Sequence, residues 1–146
     1  METINLMCDY LNDVLNTMKE LEEIDINEVY KFIIEEGNNL PKIDEKDMVE
    51  KNQVKGCLSK VYISSEMKDN KIYFNGYADS QIVKGILSIF IKALNGLNAK
   101  DIVNNSEICI NDFLQKSKIK SSLTTYRSNT FGNIYCMIKE QASEFI

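Results

Sequence analysis

The feature that most constrains the fold is the segment from residue 82 to residue 94, which is apolar on more than one face of a helix. Such a helix is buried on several sides, so we expect it to be central. Asp79 and Ser80 precede it as capping residues, and Gly96 is expected to end it. Gly85 lies inside it, where glycine costs roughly 1 kcal/mol, so we expect another backbone element to cross closely there. Its apolar residues are Ile82, Val83, Ile86, Leu87, Ile89, Phe90, Ile91 and Leu94.

Two amphipathic helices are predicted before this central one. Apolar residues from Leu6 to Leu21 follow helical spacing and indicate a first helix. Asp25 and Glu28 have the spacing of a capping box, which predicts a second helix from about Ile26 to Glu36. Gly37 then suits the left-handed position just beyond a helix end.

Alternating apolar residues predict a β-hairpin in the middle of the chain. Its strands are expected over Val54–Ser64 and Lys71–Tyr77, with Lys68–Asn70 as the turn. Two strands alone are marginally stable, so we expect a third strand, whose position the sequence does not mark. This order of elements predicts an α+β fold, a small antiparallel sheet packed with helices, in a single domain over residues 1–146.

The last third of the chain is predicted to be helical. Asn98–Asp101 is expected to start a short helix, and Asn111 to cap another. Thr124–Asn129 is expected to lead into a final helix that ends near Ala142.

Charge and hydropathy exclude some classes of protein. The net charge is −5, with 22 acidic and 17 basic residues, and no basic stripe stands out. A nucleic-acid partner is therefore not expected. No apolar run approaches the roughly 18 residues of a membrane span, and the first residues lack the basic region of a signal peptide. We expect a cytoplasmic protein with no membrane partner.

Cysteine is the main candidate for chemistry because histidine is absent, which excludes histidine-based triads, Cys–His dyads and histidine metal ligands. The spacing of the four cysteines matches no zinc site, and all four are expected to be free thiols in a reducing cytoplasm. Cys8, Cys109 and Cys136 lie among apolar residues and are expected in or near the core.

Cys57 differs because it follows Gly56 at the start of the first predicted strand. Glycine allows a tight turn, and a turn held by a strand can present a reactive thiol to another molecule. Lys55 and Lys60 flank the thiol and could favour the thiolate. Composition alone leaves open that Cys57 is an ordinary strand cysteine.

Four motifs, spread over about residues 25–142, resemble those of the SufE family of sulfur acceptors. Tyr30–Pro41 is similar to an aromatic-rich helix that ends in Gly and then Leu-Pro. Asn52–Val61 follows Asn-x-Val-x-Gly-Cys-x-Ser-x-Val, and Asp79–Gly85 follows Asp-x-x-Ile-Val-Lys-Gly. Thr124–Thr130 is close to Ser/Thr-x-x-Arg-Ser-Asn-Gly.

The chain departs from the family pattern at a few positions. Leu58 stands where glutamine is common, and Tyr62 where tryptophan is usual. Thr125-Tyr126 replaces a stretch that often contains proline, and Thr130 replaces the glycine that follows the asparagine. None of these changes removes a group that the chemistry requires.

The resemblance implies a sulfur carrier in iron–sulfur cluster assembly, with a SufE/IscU-like fold. Cys57 would accept persulfide sulfur from a pyridoxal-phosphate-dependent, SufS-like cysteine desulfurase, stimulate that enzyme, and pass the sulfur to a SufB-like scaffold. The protein would act with the desulfurase rather than as a stand-alone enzyme, with no metal or cofactor of its own. Gly56, Ser59, Asp79 and Arg127 would support the loop or contact the partner.

Other roles remain open for these residues and for the protein. Asp79 is also explained as the N-cap of the central helix, and Arg127 as a solvated arginine at a helix start. A cluster scaffold would need about three or four converging ligands, and only Cys57 lies in a motif. A thiol peroxidase would need a basic cluster beside the thiol. The main alternative is a non-catalytic adaptor that regulates a desulfurase or another partner without carrying sulfur.

Overall fold

The computed structural model describes residues 2–57, 60–117 and 130–146. Within these ranges the chain has an α+β fold, as predicted, in which helices surround one β-hairpin. The elements are α1 (Glu2–Ile24), α2 (Ile26–Glu36), β1 (Val61–Lys68), β2 (Lys71–Ala78), α3 (Gln81–Leu94), α4 (Ala99–Asn105), α5 (Glu107–Lys116) and α6 (Thr130–Ser143), with 3₁₀ turns at Gly37–Asn39, Glu45–Asp47 and Glu50–Asn52.

The second helix begins and ends where the sequence predicts. The Asp25 carboxylate accepts a hydrogen bond from the Asn27 N–H at 2.8 Å, which caps α2. The first helix is longer than predicted at both ends. The expectation for Gly37 is wrong, because its φ is −61° and the chain continues into a 3₁₀ turn instead of reversing.

Gly37 is instead explained by packing, because α2 and α3 cross at two glycines. A Cβ on Gly85 would lie 1.9 Å from the Ile33 carbonyl oxygen, and a Cβ on Gly37 would lie 3.3 Å from the Gly85 nitrogen. A backbone element therefore crosses α3 at Gly85, which confirms the prediction.

The third helix is central, as its apolar faces predict. Ten of its 14 residues are buried. Its N-cap is Ser80, whose Oγ accepts from the Val83 N–H at 3.4 Å, so the alternative that Asp79 caps this helix is wrong.

No single helix of the described segments is long and apolar enough to cross a bilayer, and α3 and α4 pass that test only as a pair bent by 115°.

The hairpin is shorter at its start than predicted. The strands pair from Val61↔Ala78 to Lys68↔Lys71, so β1 begins at Val61 and not at Val54. Asp69 and Asn70 form the predicted turn with positive φ values of 53° and 65°, which these residue types tolerate.

Single bridges occupy the edges of the hairpin in place of the predicted third strand. In the described part of the chain the sheet has only β1 and β2. Gln53 bridges to Tyr62 beside β1, and Lys42 bridges to Gly76 beside β2. The chain just after α3 hydrogen-bonds the backbone of Ile72. These bonds satisfy edge groups that an open hairpin would leave unpaired.

The later helices agree with the predictions in part. The Asn98 side chain caps α4 by accepting from the Asp101 N–H at 2.8 Å. Asn111 is not a cap, because it lies inside α5. The final helix ends one residue beyond Ala142, whereas the segment predicted to lead into it, 124–129, lies outside the described residues.

Cys8 and Cys109 pack against the core, as predicted, but the predictions that they are free thiols and that Cys136 lies in or near the core are wrong. Cys8 and Cys109 are not free thiols but form a disulfide that joins α1 to α5. Cys136 is an exposed thiol on α6, because its neighbour Tyr135 and Ile138 occupy the face of the helix that packs on the core. The free thiols are therefore Cys57 and Cys136.

Candidate functional site around Cys57

Cys57 lies in a loop that closes on itself just before β1. The Val54 N–H donates to the Val61 carbonyl at 2.8 Å, and this bond joins the two ends of the loop. The expectation that Cys57 begins a long strand is wrong because the chain turns at Gly56, whose φ is +80°. Glycine adopts this conformation without the steric cost that a side chain adds. The thiol therefore lies on a turn beside the sheet.

The Cys57 side chain is half-buried and packs against the hydrophobic core. Burial disfavours the charged thiolate and raises the pKa of Cys57 above its ordinary value of 9.0. A side-chain hydrogen bond with Thr130 has the opposite, smaller effect on this pKa. The two flanking lysines, Lys55 and Lys60, are exposed, where water and salt screen their charge. Burial thus shelters the thiol and favours its protonated form.

The first turn of α6 contacts the loop through two side chains. Thr130 is only 4% exposed and is the residue that opposes the rise in the pKa of Cys57. The Asn133 side chain donates to the Gly56 carbonyl at 3.4 Å, and a Cβ on Gly56 would lie 2.7 Å from its Nδ2. Neither Thr130 nor Asn133 is among the site residues predicted from the sequence. The one available signal was that Thr130 replaces the glycine of the family pattern.

Asp79 fastens the other end of the loop. Its carboxylate accepts from the Lys60 N–H at 3.1 Å, and its own N–H donates to the Lys60 carbonyl at 3.2 Å. These two bonds join the residue before β1 to the residue after β2. Asp79 therefore holds the backbone of Lys60, three residues after Cys57.

Three of the five predicted site residues lie together in this region. Gly56, Cys57 and Asp79 belong to the loop or hold it, as described above. The other two, Ser59 and Arg127, lie outside the described residues. Within the described ranges, no group of three or more thiols and carboxylates is arranged to hold a metal ion.

An aromatic pair lies on the hairpin next to this loop. Tyr62 and Tyr77 are cross-strand partners one position beyond the pair Val61↔Ala78, and their ring centroids are 6.3 Å apart. Tyr77 is exposed. The outer face of the hairpin thus presents aromatic surface close to the Cys57 loop.

The fold resembles that of a solved structure. The solution structure of a hypothetical protein from Thermus thermophilus superimposes with a TM-score of 0.71 over 92% of this chain and 94% of that one. The two sequences are 14% identical, so this likeness concerns the fold alone.

Sequence relatives point to one family. The chain is 34% identical over 116 residues to an uncharacterized SufE-like protein of Synechocystis sp., covering 80% of this chain and 70% of that protein. An uncharacterized SufE-like protein of Rhizobium meliloti is 28% identical over 117 residues, covering 77% of this chain and 81% of that one. The model of the SufE family, described as an Fe-S metabolism associated domain, matches residues 13–142. The chain therefore belongs to the SufE family, which is associated with iron–sulfur metabolism.

Proposed function

We propose that this protein is a cytoplasmic sulfur acceptor and carrier for iron–sulfur cluster assembly, with residues 1–146 as one acceptor domain. Cys57 takes persulfide sulfur from a pyridoxal-phosphate-dependent, SufS-like cysteine desulfurase, stimulates that enzyme, and delivers the sulfur to a SufB-like scaffold. The observation that carries the proposal is a free, half-buried thiol in the family's cysteine motif, on a loop fastened at both ends.

The chemistry is a thiol exchange that needs one thiolate. The Cys57 thiolate attacks the outer sulfur of the donor's persulfide. The donor's S–S bond breaks, a new S–S bond forms on Cys57, and the donor cysteine leaves as a thiolate. The number of S–S bonds is unchanged, so no external oxidant or reductant is consumed. Cys57 must lose its proton first, and burial makes that step harder.

The half-burial of Cys57, which hinders its ionisation, also favours a role as a sulfur carrier. A persulfide held half-buried is less accessible to small thiols that would remove its outer sulfur. Gly56 and Asp79 support the loop through the conformation and hydrogen bonds described above. The proposed roles of Ser59 and Arg127 in the loop or at the partner rest on the family resemblance. The exposed ring of Tyr77 offers the desulfurase an aromatic contact near the thiol.

The second candidate is an adaptor that docks on a desulfurase and regulates it without carrying sulfur. The observation in its favour is the half-burial of the Cys57 side chain, because burial raises the pKa of the thiol and disfavours the thiolate that would attack. An adaptor would use the same outer face of the hairpin but would not need the sulfur atom of Cys57.

Intact mass spectrometry separates the two functions. Wild type, Cys57→Ser and Cys136→Ser are each incubated with a cysteine desulfurase and free cysteine. A carrier gains about 32 Da per added sulfur, reversibly with dithiothreitol, in wild type and Cys136→Ser but not in Cys57→Ser. Cys136→Ser is the matched control because it removes the other free thiol. If Cys57→Ser stimulates the desulfurase as well as wild type does and no variant gains mass, the adaptor is correct.

A further inference from the structure

The two outer edges of the hairpin differ in how far they are paired. On β2, the outward N–H groups of Ile72, Phe74 and Gly76 each donate, at 2.8 Å, to an acceptor elsewhere in the chain. The outer edge of β2 is therefore covered along most of its length, which protects it from pairing with another chain.

On β1 the pairing of the outer edge stops halfway. The Val61 and Ile63 carbonyls point away from β2, because they accept from a loop N–H at 2.8 Å and from the Gln141 side chain at 2.6 Å. Alternation along an antiparallel strand gives the N–H and C=O groups of Ser65 and Met67 the same outward direction. These groups have no hydrogen-bond partner in the described part of the chain. Beyond Ile63, the outer edge of β1 is thus open.

A groove of about 480 Å³ lies beside this open edge. It is lined by Ser64–Glu66 of β1, by side chains of the 42–52 loop, and by Gln141, Glu144 and Phe145 near the C-terminus. Because Gln141 both lines the groove and binds the outward Ile63 carbonyl, the groove follows the edge of β1. Ligand sites commonly measure about 300–1,000 Å³, so the groove has room for a few residues of another chain.

The charges in the groove indicate what kind of chain fits. Three lysines and four carboxylates line it, and none of them forms an ion pair within the described ranges. Glu66 lies between Ser65 and Met67, so a strand paired with this edge has one residue directly opposite the Glu66 carboxylate. Opposite charges in such a cross-strand pair are stabilising, which favours a basic residue there. The net charge of −5 acts in the same direction over longer distances.

Glu66 also disfavours a second copy of this chain as the occupant. Antiparallel pairing of two β1 edges through both Ser65 and Met67 places the two Glu66 carboxylates opposite each other, which is destabilising. Met67 is 38% exposed, so it offers an apolar contact to the residue next to the basic one in a bound strand. The edge therefore fits a strand in which basic and apolar residues alternate.

We propose that the open edge of β1 is a docking site for an extended segment of a partner protein in which basic and apolar residues alternate. The segment pairs with the backbone of Ser65 and Met67 and sets a lysine or arginine opposite Glu66. Addition of a strand to an exposed sheet edge is a common way to recognise extended peptides. It also adds a third strand to a described sheet of two, which by itself is marginal. The inference goes beyond the proposed function, because it involves no chemistry of Cys57.

The test uses a capped, fluorescein-labelled octapeptide of alternating lysine and valine, whose binding to the full chain is measured by fluorescence anisotropy. We expect saturable binding, and binding at least about tenfold weaker for the same peptide N-methylated at its valines. N-methylation removes the N–H groups that face the open edge and leaves the charge unchanged. The comparison therefore separates strand pairing from general attraction to an acidic protein.

Ser65→Pro tests the same hydrogen bonds from the protein side. Proline removes the outward N–H of this residue and leaves the bonds between β1 and β2 in place, as it does at other strand edges. We expect the lysine–valine peptide to bind this variant roughly three- to tenfold more weakly. Glu66→Gln should also weaken binding, and by more than Glu140→Gln, which removes an exposed carboxylate outside the groove. Circular dichroism checks folding, and the N-methylated peptide remains as the test if Ser65→Pro does not fold.

Two results overturn the inference. If the lysine–valine peptide shows no saturable binding up to about 1 mM, the charged residues only protect an unused edge. If the methylated and unmethylated peptides bind equally, or a folded Ser65→Pro binds as wild type does, the peptide is held by charge and not by strand pairing. Neither measurement involves a desulfurase, so the outcome is independent of whether Cys57 accepts sulfur.

Discussion

The amide of Asn133 occupies the space into which a side chain at Gly56 would point, 2.7 Å from the position of its Cβ. The relationship joins a loop residue to a helix that begins 74 positions later in the chain, at Thr130. Two features favour glycine at position 56: its φ is +80°, and Asn133 leaves no room for a Cβ. These features can be separated by experiment.

Gly56→Ala is expected to destabilise the protein by about 1–2 kcal/mol from the left-handed backbone, and further from the clash with Asn133. In an Asn133→Ala background the clash is relieved, and Gly56→Ala costs only the free energy of the left-handed backbone. The effects of Gly56→Ala and Asn133→Ala on the free energy of unfolding are therefore not additive. Urea unfolding of the four variants measures this coupling. Gly132→Ala is the control: it has open space and lies inside α6, so it should be neutral or stabilising. Strict additivity would mean that Asn133 does not restrict position 56.

Asp79→Ala removes the acceptor for the Lys60 N–H and should loosen the loop after Cys57. We expect Cys57 alkylation to rise severalfold as the thiol becomes more accessible, with a stability loss of about 0.5–1.5 kcal/mol. Ser80→Ala is the matched control, because it removes the cap of α3 at similar cost without touching the loop. Equal alkylation rates in the two variants would contradict a loop-specific role for Asp79.

Reduction of the Cys8–Cys109 disulfide is expected to lower stability. Its half-cystines are separated by 101 positions, so the bond constrains most of the unfolded chain. Loss of such a bond costs roughly 2–5 kcal/mol. Thermal unfolding with and without dithiothreitol measures this effect, and the double variant Cys8→Ser/Cys109→Ser should be insensitive to reductant. A wild-type Tm that does not respond to reductant would show that the bond does not stabilise the fold.

Gly85→Ala should be among the most damaging small substitutions in the chain. The added Cβ would lie 1.9 Å from the Ile33 carbonyl oxygen, and backbone atoms cannot move aside cheaply. We expect a loss of about 3 kcal/mol or failure to fold, at or above the usual range for overpacking. Gly96→Ala is the comparison, since its φ is +88° but its surroundings are open, so it carries backbone strain alone. Equal losses would argue against a close crossing of α2 and α3.

Stability should fall at alkaline pH in part through Cys57. Burial raises the pKa of its thiol in the folded state, so the folded protein holds this proton more tightly than the unfolded chain does. The stability gained from this tighter proton binding is fully present below the pKa that Cys57 has in the unfolded chain. It is lost as the pH rises through the pKa that Cys57 has in the folded protein. Tyr135, whose pKa burial raises to about 12, acts in the same direction at higher pH. The urea midpoint of Cys57→Ser should therefore fall less between pH 7 and pH 10 than that of wild type.

Local signals in the sequence were sufficient for several elements. The capping residue Asp25, the apolar faces of α3 and the turn at Asp69-Asn70 depend on neighbours a few positions away, and the structure has them where predicted. Gly85 was informative for the same reason, since a glycine inside a helix that is apolar on several faces indicates a close contact with a neighbouring element. The cysteine motif is also local, because its residues are contiguous in the chain, so it could be compared with the family pattern without knowledge of the tertiary structure.

Only the tertiary structure decided what depends on residues far apart in the chain. The pairing of Cys8 with Cys109, the exposure of Cys136 and the absence of a third strand beside the described hairpin follow from how helices and loops pack. The environment of Cys57 is of the same kind. Its motif is local, but its burial against the core and the contact of Asn133 with Gly56 depend on the packing of α6 beside the loop. Periodicity and capping reflect interactions between residues a few positions apart. The reactivity of a thiol depends on its burial and its contacts, and residues distant in the sequence determine both.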